Sequence, residues 1–145
     1  IESLATIFIL MKHIIHFFTL STLLISCHQQ TISLADYPKE LIIRWEELLL
    51  QQEQNYFGYV FSYHCPYCEK IKMIIFEYIL YGECLLYLIE FDSSIPRESE
   101  KNDFYSTNNI FDLTIVGTPT LFVVENKAAK NRITGATDIK NFIAE

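Results

Sequence analysis

Phe61-Ser62-Tyr63-His64-Cys65-Pro66-Tyr67-Cys68-Glu69-Lys70 is the stretch in which an apolar run ends in two cysteines and an amphipathic pattern begins. Upstream, Tyr56-Phe57-Gly58-Tyr59-Val60-Phe61 is aromatic and β-branched with almost no polar break, the pattern of a strand buried on both faces. Downstream, Ile71, Ile74, Ile75, Tyr78 and Ile79 recur at helical spacing as far as Gly82, which predicts an α-helix that stops there. Cys65 is therefore expected at a strand-to-helix junction. Pro66 suits the first helical turn, where its missing N–H costs nothing, and Cys68 follows close enough for the two sulfurs to join.

This arrangement suits thiol–disulfide exchange, because the reactive species is the thiolate. A free cysteine with a pKa of about 8.5 is only a few per cent ionised at neutral pH, and half-ionising it near pH 7 requires roughly 2 kcal/mol. A helix N-terminus typically supplies about 0.3–1 kcal/mol. Hydrogen bonds from the Cys68 thiol and the helix amides, with a contribution from His64 when protonated, are expected to supply the rest. Cys65 is the candidate nucleophile and Cys68 the candidate resolving thiol. The competing reading of a CxxC is a zinc half-site, which needs further ligands. Cys84 is the one cysteine downstream, and an unbroken helix at 1.5 Å per residue puts it ~24 Å away. His13, His16 and His28 fall in or beside an N-terminal leader, leaving His64. The spacing favours redox chemistry, with no metal. Cys84 itself reads as a small core residue, with an intermolecular disulfide as the alternative.

Outward from the motif, residues 36–52 offer a cap, an early proline and an apolar face of Leu41, Ile42, Trp45, Leu48 and Leu49, which predicts a first helix covering a sheet with Trp45 in the core. Residues 85–91 are a second buried strand, and strand–helix–strand order implies parallel pairing through a right-handed crossover. A polar loop follows, then a short helix over residues 100–109. Residues 120–124 and 130–134 read as a hairpin, Gly135 as a break and residues 137–143 as a closing helix.

At the other end, Met11 reads as a start, followed by Lys12, an apolar run over residues 14–25 and Ser26-Cys27, the basic, apolar and small-residue parts of a secretory signal. Leu24-Ile25-Ser26-Cys27 also resembles a bacterial lipobox, which implies removal of the preceding residues and lipidation of Cys27. The alternative is an uncleaved anchor, disfavoured because a mid-span Lys12 costs about 2.5–3.5 kcal/mol. Both place the rest of the chain outside the cytoplasm, tethered to the bacterial cell membrane. The expected organisation is a leader over residues 1–27, a spacer over 28–37 and one domain over 38–145. The net charge of −7, with no basic run, argues against a nucleic-acid partner. An aromatic content of 14% indicates a packed domain rather than a disordered tail.

The order from Tyr56 onward, with Cys65-Pro66-Tyr67-Cys68 early and Val116-Gly117-Thr118-Pro119-Thr120-Leu121-Phe122 before a hairpin, Gly135 and a final helix, resembles the thioredoxin-like superfamily. Two such motifs in the right element order are far more specific than CxxC alone. The resemblance implies an α/β fold with a central mixed four-stranded sheet and helices on both faces. It implies a cis proline at Pro119 beside the cysteine pair, with Thr118 presenting backbone to an extended substrate. His64, Pro66, Tyr67, Thr118 and Pro119 are the expected substrate-binding residues, and Cys65 and Cys68 the catalytic pair. No cofactor beyond the Cys65–Cys68 disulfide is implied, and the partners are protein thiols or disulfides and a redox partner of unknown identity. CPYC is typical of glutaredoxins, whereas Gly-Thr-Pro-Thr is similar to thioredoxins and extracytoplasmic disulfide isomerases. The chain departs from thioredoxins in carrying His64 in place of a tryptophan and Tyr59 in place of a buried aspartate that assists proton transfer at the second cysteine. The leading expectation is an extracytoplasmic, membrane-tethered thiol–disulfide oxidoreductase acting on protein cysteines. The alternatives are a non-catalytic accessory protein of a peptide-export system and a glutaredoxin-like reductase.

Overall fold

The computed structural model describes residues 32–99 and 103–144. The proposed leader and Cys27 lie outside the described residues. Four strands, β1 (Asn55–Phe61), β2 (Leu85–Glu90), β3 (Thr120–Glu125) and β4 (Ala128–Thr134), form one sheet in the order β2-β1-β3-β4. Helix α1 (Pro66–Tyr81) carries the chain from β1 to its parallel neighbour β2, and α2 (Ala136–Ile143) follows β4. β1 pairs antiparallel with β3, and β3 with β4. The β3–β4 turn places Asn126 and Lys127 at φ 50° and 63°, the left-handed conformation that a two-residue hairpin loop needs to match strand twist. This is the mixed four-stranded α/β architecture implied by the thioredoxin-like resemblance.

The apolar runs are buried because both sheet faces are covered, and side chains alternate between the faces along each strand. Phe57, Tyr59 and Phe61 of β1 pack with Leu86, Leu88 and Leu121 under Ile71 and Ile75 of α1 and Ile139 of α2. Tyr56 and Val60 join Tyr87, Ile89, Phe122 and Val124 on the opposite face. Gly58 shares that second face, where its missing side chain admits Leu48. Gly82 ends α1 as expected, in an extended conformation rather than a left-handed one. It is required by close approach, since a Cβ there would stand 2.6 Å from the Tyr78 ring and carbonyl oxygen.

Three expectations are corrected. The first helix over residues 36–52 is instead three 3-10 turns, Leu34–Asp36, Lys39–Leu41 and Trp45–Glu47, joined by extended residues. The outer edge of β2 explains the difference, because its backbone groups need partners. Ile42 bridges Leu88 in parallel and the Ile43 N–H donates to the Leu88 carbonyl at 2.8 Å. A chain lying along that edge sends Leu34 and Tyr37 to one face of the sheet and Trp45, Leu48 and Leu49 to the other. Leu34 and Tyr37 of the expected spacer are therefore core residues. Trp45 is buried as expected, edge-on to Phe122 at 5.8 Å.

Second, the described part of the expected helix over residues 100–109 is not helical. Thr107 instead exchanges two backbone hydrogen bonds with Ala129 at the edge of β4, and a 3-10 turn follows at Ile110–Asp112. Third, both α-helices contribute to one face, so the second face is covered by the Trp45–Glu47 turn and by Ile95, Leu113 and Ile115 of the long β2–β3 connection. Arg132 of β4 holds that connection by donating to the Thr114 carbonyl at 2.9 Å and hydroxyl at 3.1 Å and by pairing with Glu98.

A methyl group at Gly58 would overlap Leu48 Cδ1, and Leu48 is fully buried with little room to turn aside. Gly58→Ala is therefore expected to lower stability by about 1–3 kcal/mol through overpacking. The measurement is the shift in denaturation midpoint at unchanged slope. Combined with Leu48→Ala, the loss should be smaller than the sum of the two single losses.

Candidate active site at the Cys65–Cys68 pair

β1 delivers the chain to the site and a tight turn reverses it. The Cys65 N–H donates to the Ser62 carbonyl at 3.1 Å, and the His64 N–H to the Ser62 hydroxyl at 3.3 Å. Cys65 is the N-cap of α1, with Pro66 in the first turn as expected. Its sulfur accepts the Cys68 N–H at 3.3 Å, satisfying one of the free amides at the helix start. From the other side, the Thr118 carbonyl accepts the Cys65 thiol at 3.2 Å across a sequence separation of 53 residues. The Thr118–Pro119 bond is cis. Its loop is fixed by the Thr120 hydroxyl donating to the Gly117 carbonyl at 2.6 Å and by the Gly135 N–H donating to the Pro119 carbonyl at 2.9 Å.

Cys65, Cys68, Thr118 and Pro119, drawn from two distant motifs, thus share one site. Both cysteines are free thiols. Cys68 and Pro119 are buried, Cys65 and Thr118 partly exposed, and His64, Pro66 and Tyr67 stand exposed on the rim. Tyr67 carries Lys70 Nζ over its ring at 5.0 Å. Exposed Tyr63, which the sequence reading passed over, packs its ring edge-on to Phe61 at 5.2 Å and extends the aromatic rim.

The two thiols have opposite tendencies to ionise. For Cys65, partial burial acts against the charge. Hydrogen bonds involving Thr118, the Cys68 thiol and the N–H groups of Cys68 and Tyr67 outweigh it, and the pKa lies below the ordinary thiol value. The Thr118 contribution is that of its side-chain hydroxyl, which can donate to a thiolate, whereas its carbonyl accepts from the protonated thiol. For Cys68, burial comes first and the neighbouring Cys65 second, and together they push its pKa up to about 12. The helix amides and the Cys68 thiol are among the groups that lower the Cys65 pKa, and His64 is exposed.

Cys84 lies beyond the far end of the unbroken α1, its N–H bonded to the Tyr78 hydroxyl at 3.3 Å. Among the described residues there is no group of three or more His, Cys, Asp or Glu arranged to hold a metal ion. Two further residues adjoin the site. Tyr59 and Tyr37 are buried on the helix side of the sheet in the same cluster as Cys68. Tyr59 had a sequence signal in its place six residues before Cys65, whereas Tyr37 had none, because its burial depends on the path of the chain around β2.

Among solved structures, the chain is similar to the crystal structure of Chlamydomonas reinhardtii thioredoxin f2, at 13% identity and a TM-score of 0.46, over 71% of this chain and 89% of that one. No protein-family model matches the chain, and no curated protein matches it.

The thiol asymmetry has a measurable pH signature. Cys65 should be alkylated with a rate that titrates below the ordinary thiol value, while Cys68 stays unreactive across the neutral range. Unfolded Cys68 ionises near about pH 8.5, whereas the native thiol keeps its proton up to about pH 12. Between those values the unfolded chain has shed a proton that the native chain retains, so stability falls as pH rises. Cys65, with a depressed pKa, contributes stability that is fully present above the unfolded value and is lost as pH falls, so its opposing slope fades above about pH 8.5. Denaturation of the dithiol form above about pH 8.5 should show declining stability, and Cys68→Ala should make the decline shallower by its own share, the remainder coming from buried tyrosines such as Tyr37 and Tyr59.

Proposed function

We propose that this chain is an extracytoplasmic, membrane-tethered thiol–disulfide oxidoreductase acting on protein cysteines. The observation that carries the reading is the division of labour between a partly exposed Cys65 with a lowered pKa and a buried, protonated Cys68 at one helix N-terminus. In the reducing direction, the Cys65 thiolate attacks one sulfur of a substrate disulfide. A Cys65–substrate disulfide forms, and the other substrate sulfur leaves as a thiolate that takes a proton from solvent. Cys68 then loses its proton and attacks the Cys65 sulfur. The intramolecular disulfide forms, and the second substrate thiolate leaves. The substrate gains two electrons and the cysteine pair loses two. In the oxidising direction, the same steps run in reverse, with a substrate thiolate attacking Cys65.

The rim suits a peptide substrate. Thr118 presents backbone next to the reacting sulfur, and His64, Pro66 and Tyr67 offer exposed apolar and polar surface around it. The tether rests on the lipobox-like Leu24-Ile25-Ser26-Cys27. Among the described residues no helix is long and apolar enough to cross a membrane.

Two experiments test the two halves of this reading. Cys68→Ser should accumulate mixed disulfides through Cys65 that Cys65→Ser does not. Full biological activity of the double serine variant would instead indicate a non-catalytic docking role. Expressed from Met11 in a lipoprotein-processing bacterium, the chain should be recovered in membranes with an acylated N-terminal Cys27, and Cys27→Ala should abolish the modification. A mature mass that retains residues 11–26 would refute lipidation.

A further inference from the structure

Three elements converge behind Cys68. Tyr37 arrives from the segment along β2, Tyr59 from the middle of β1 and Cys68 from the first turn of α1. Cys68 and Tyr59 are fully buried and Tyr37 is 2% exposed. Phe61 fixes both phenols, meeting Tyr37 edge-on at 5.2 Å and stacking parallel to Tyr59 at 6.1 Å. Neither hydroxyl meets strict hydrogen-bond geometry among the described residues, yet Tyr59 lies within interacting reach of both the Tyr37 hydroxyl and the Cys68 sulfur. A buried polar group left unsatisfied beside a nucleophilic site is unusual enough to need an explanation. Here two occur together. The pair is also close enough to the cysteines to feel their charge. Burial raises the pKa of Tyr59 far above the ordinary value, and Tyr37, Cys68 and Cys65 raise it further. Burial, followed by the charge of Cys68, likewise raises Tyr37. Both hydroxyls therefore remain protonated at any pH where the thiols react. They are donors that never act as bases.

We propose that Tyr59 and Tyr37 form a neutral hydrogen-bond donor pair for the Cys68 sulfur, stabilising its thiolate while it attacks or leaves the Cys65 disulfide. The proposal rests on the redox reading of the pair and adds two positioning residues to it. In the mixed disulfide, Cys68 gives its proton to solvent base. A phenol O–H turns onto the resulting thiolate, the thiolate attacks the Cys65 sulfur, and the substrate thiolate departs and is protonated by solvent. Neither tyrosine gains or loses a proton. In the reverse direction the same O–H groups receive the Cys68 thiolate as the intramolecular disulfide opens. A carboxylate in this pocket would remove the proton itself, whereas phenols leave that task to solvent. The resolving step should consequently accelerate with pH through the neutral range without levelling.

The test uses an aryl disulfide reagent on the full chain carrying Cys27→Ser and Cys84→Ser. Each turnover releases one coloured aryl thiolate when Cys65 attacks and a second when Cys68 resolves the adduct, so the two steps are read separately. Tyr59→Phe and Tyr37→Phe should each slow the second release about 3- to 10-fold, a range set by the strength of hydrogen bonds to charged groups and the partial charge change in exchange. The first release should be unchanged and the melting temperature maintained. Equal slowing of both releases, an unaltered second release, or levelling of its wild-type rate between about pH 6 and 8 would overturn the assignment. Should Tyr59→Phe fail to fold, Tyr37→Phe alone carries the same comparison. The outcome is independent of the physiological reading. A chain that traps no protein substrate in cells can still show the tyrosine effect with the aryl reagent, and an active oxidoreductase can lack it.

Discussion

The contact between the Cys65 sulfur and the Thr118 carbonyl depends on one alignment, the antiparallel register of β1 on β3. Val60 opposite Thr120 is the last pair before the site, so both site loops leave the sheet at the same end. Because side chains alternate between faces, a slip of one residue would turn Tyr59 and Phe61 away from α1 and present Gly58 to the helices. The register is held by burial on both faces, since Tyr59, Val60 and Phe61 are all fully enclosed. The chemistry is therefore positioned by the hydrophobic pattern of a strand that contributes no reacting atom.

Burial also separates the two thiols. Cys65 and Cys68 are one helical turn apart at the same helix N-terminus, yet one sulfur reaches solvent and the other does not. Desolvation disfavours a charge in proportion to enclosure. At Cys65 hydrogen bonds exceed it, while at Cys68 they do not. The same enclosure leaves the hydroxyls of Tyr37 and Tyr59 without a well-formed hydrogen bond among the described residues, at a cost of up to about 1–3 kcal/mol for each. Their ring contacts with Phe61 return about 0.5–1.5 kcal/mol per aromatic pair beyond area burial.

The sequence was most informative where local pattern and tertiary role coincide. β1, α1, β2, the hairpin and α2 each carry a periodicity that their surroundings reinforce, and all appear within a residue or two of expectation. The segment at residues 34–50 misled because its apolar spacing fits a helix equally well. The open edge of β2 decided the matter, and an edge exists only once the sheet is assembled. The same holds for Thr107 on β4. In the site, Cys65, Cys68, Thr118 and Pro119 were legible through their motifs. Tyr59 was legible only as the absence of an aspartate, and its pairing with Tyr37 required knowledge of how the chain passes around the sheet.

The ionisation pattern also bears on the direction of electron flow. Stabilising a charge on Cys65 favours the dithiol form alone, because the disulfide has no thiolate to stabilise. Each hydrogen bond that lowers the Cys65 pKa therefore raises the reduction potential of the couple and makes the disulfide a better oxidant. A protonated Cys68 contributes nothing in that direction. It makes the dithiol a slow attacker in its second step, which favours a long-lived mixed disulfide. Neutral donors behind Cys68 counter that delay without placing a permanent negative charge beside Cys65. A carboxylate there would repel the Cys65 thiolate and raise its pKa. With phenols there instead, the lowered Cys65 pKa is left in place while Cys68 can still complete the exchange.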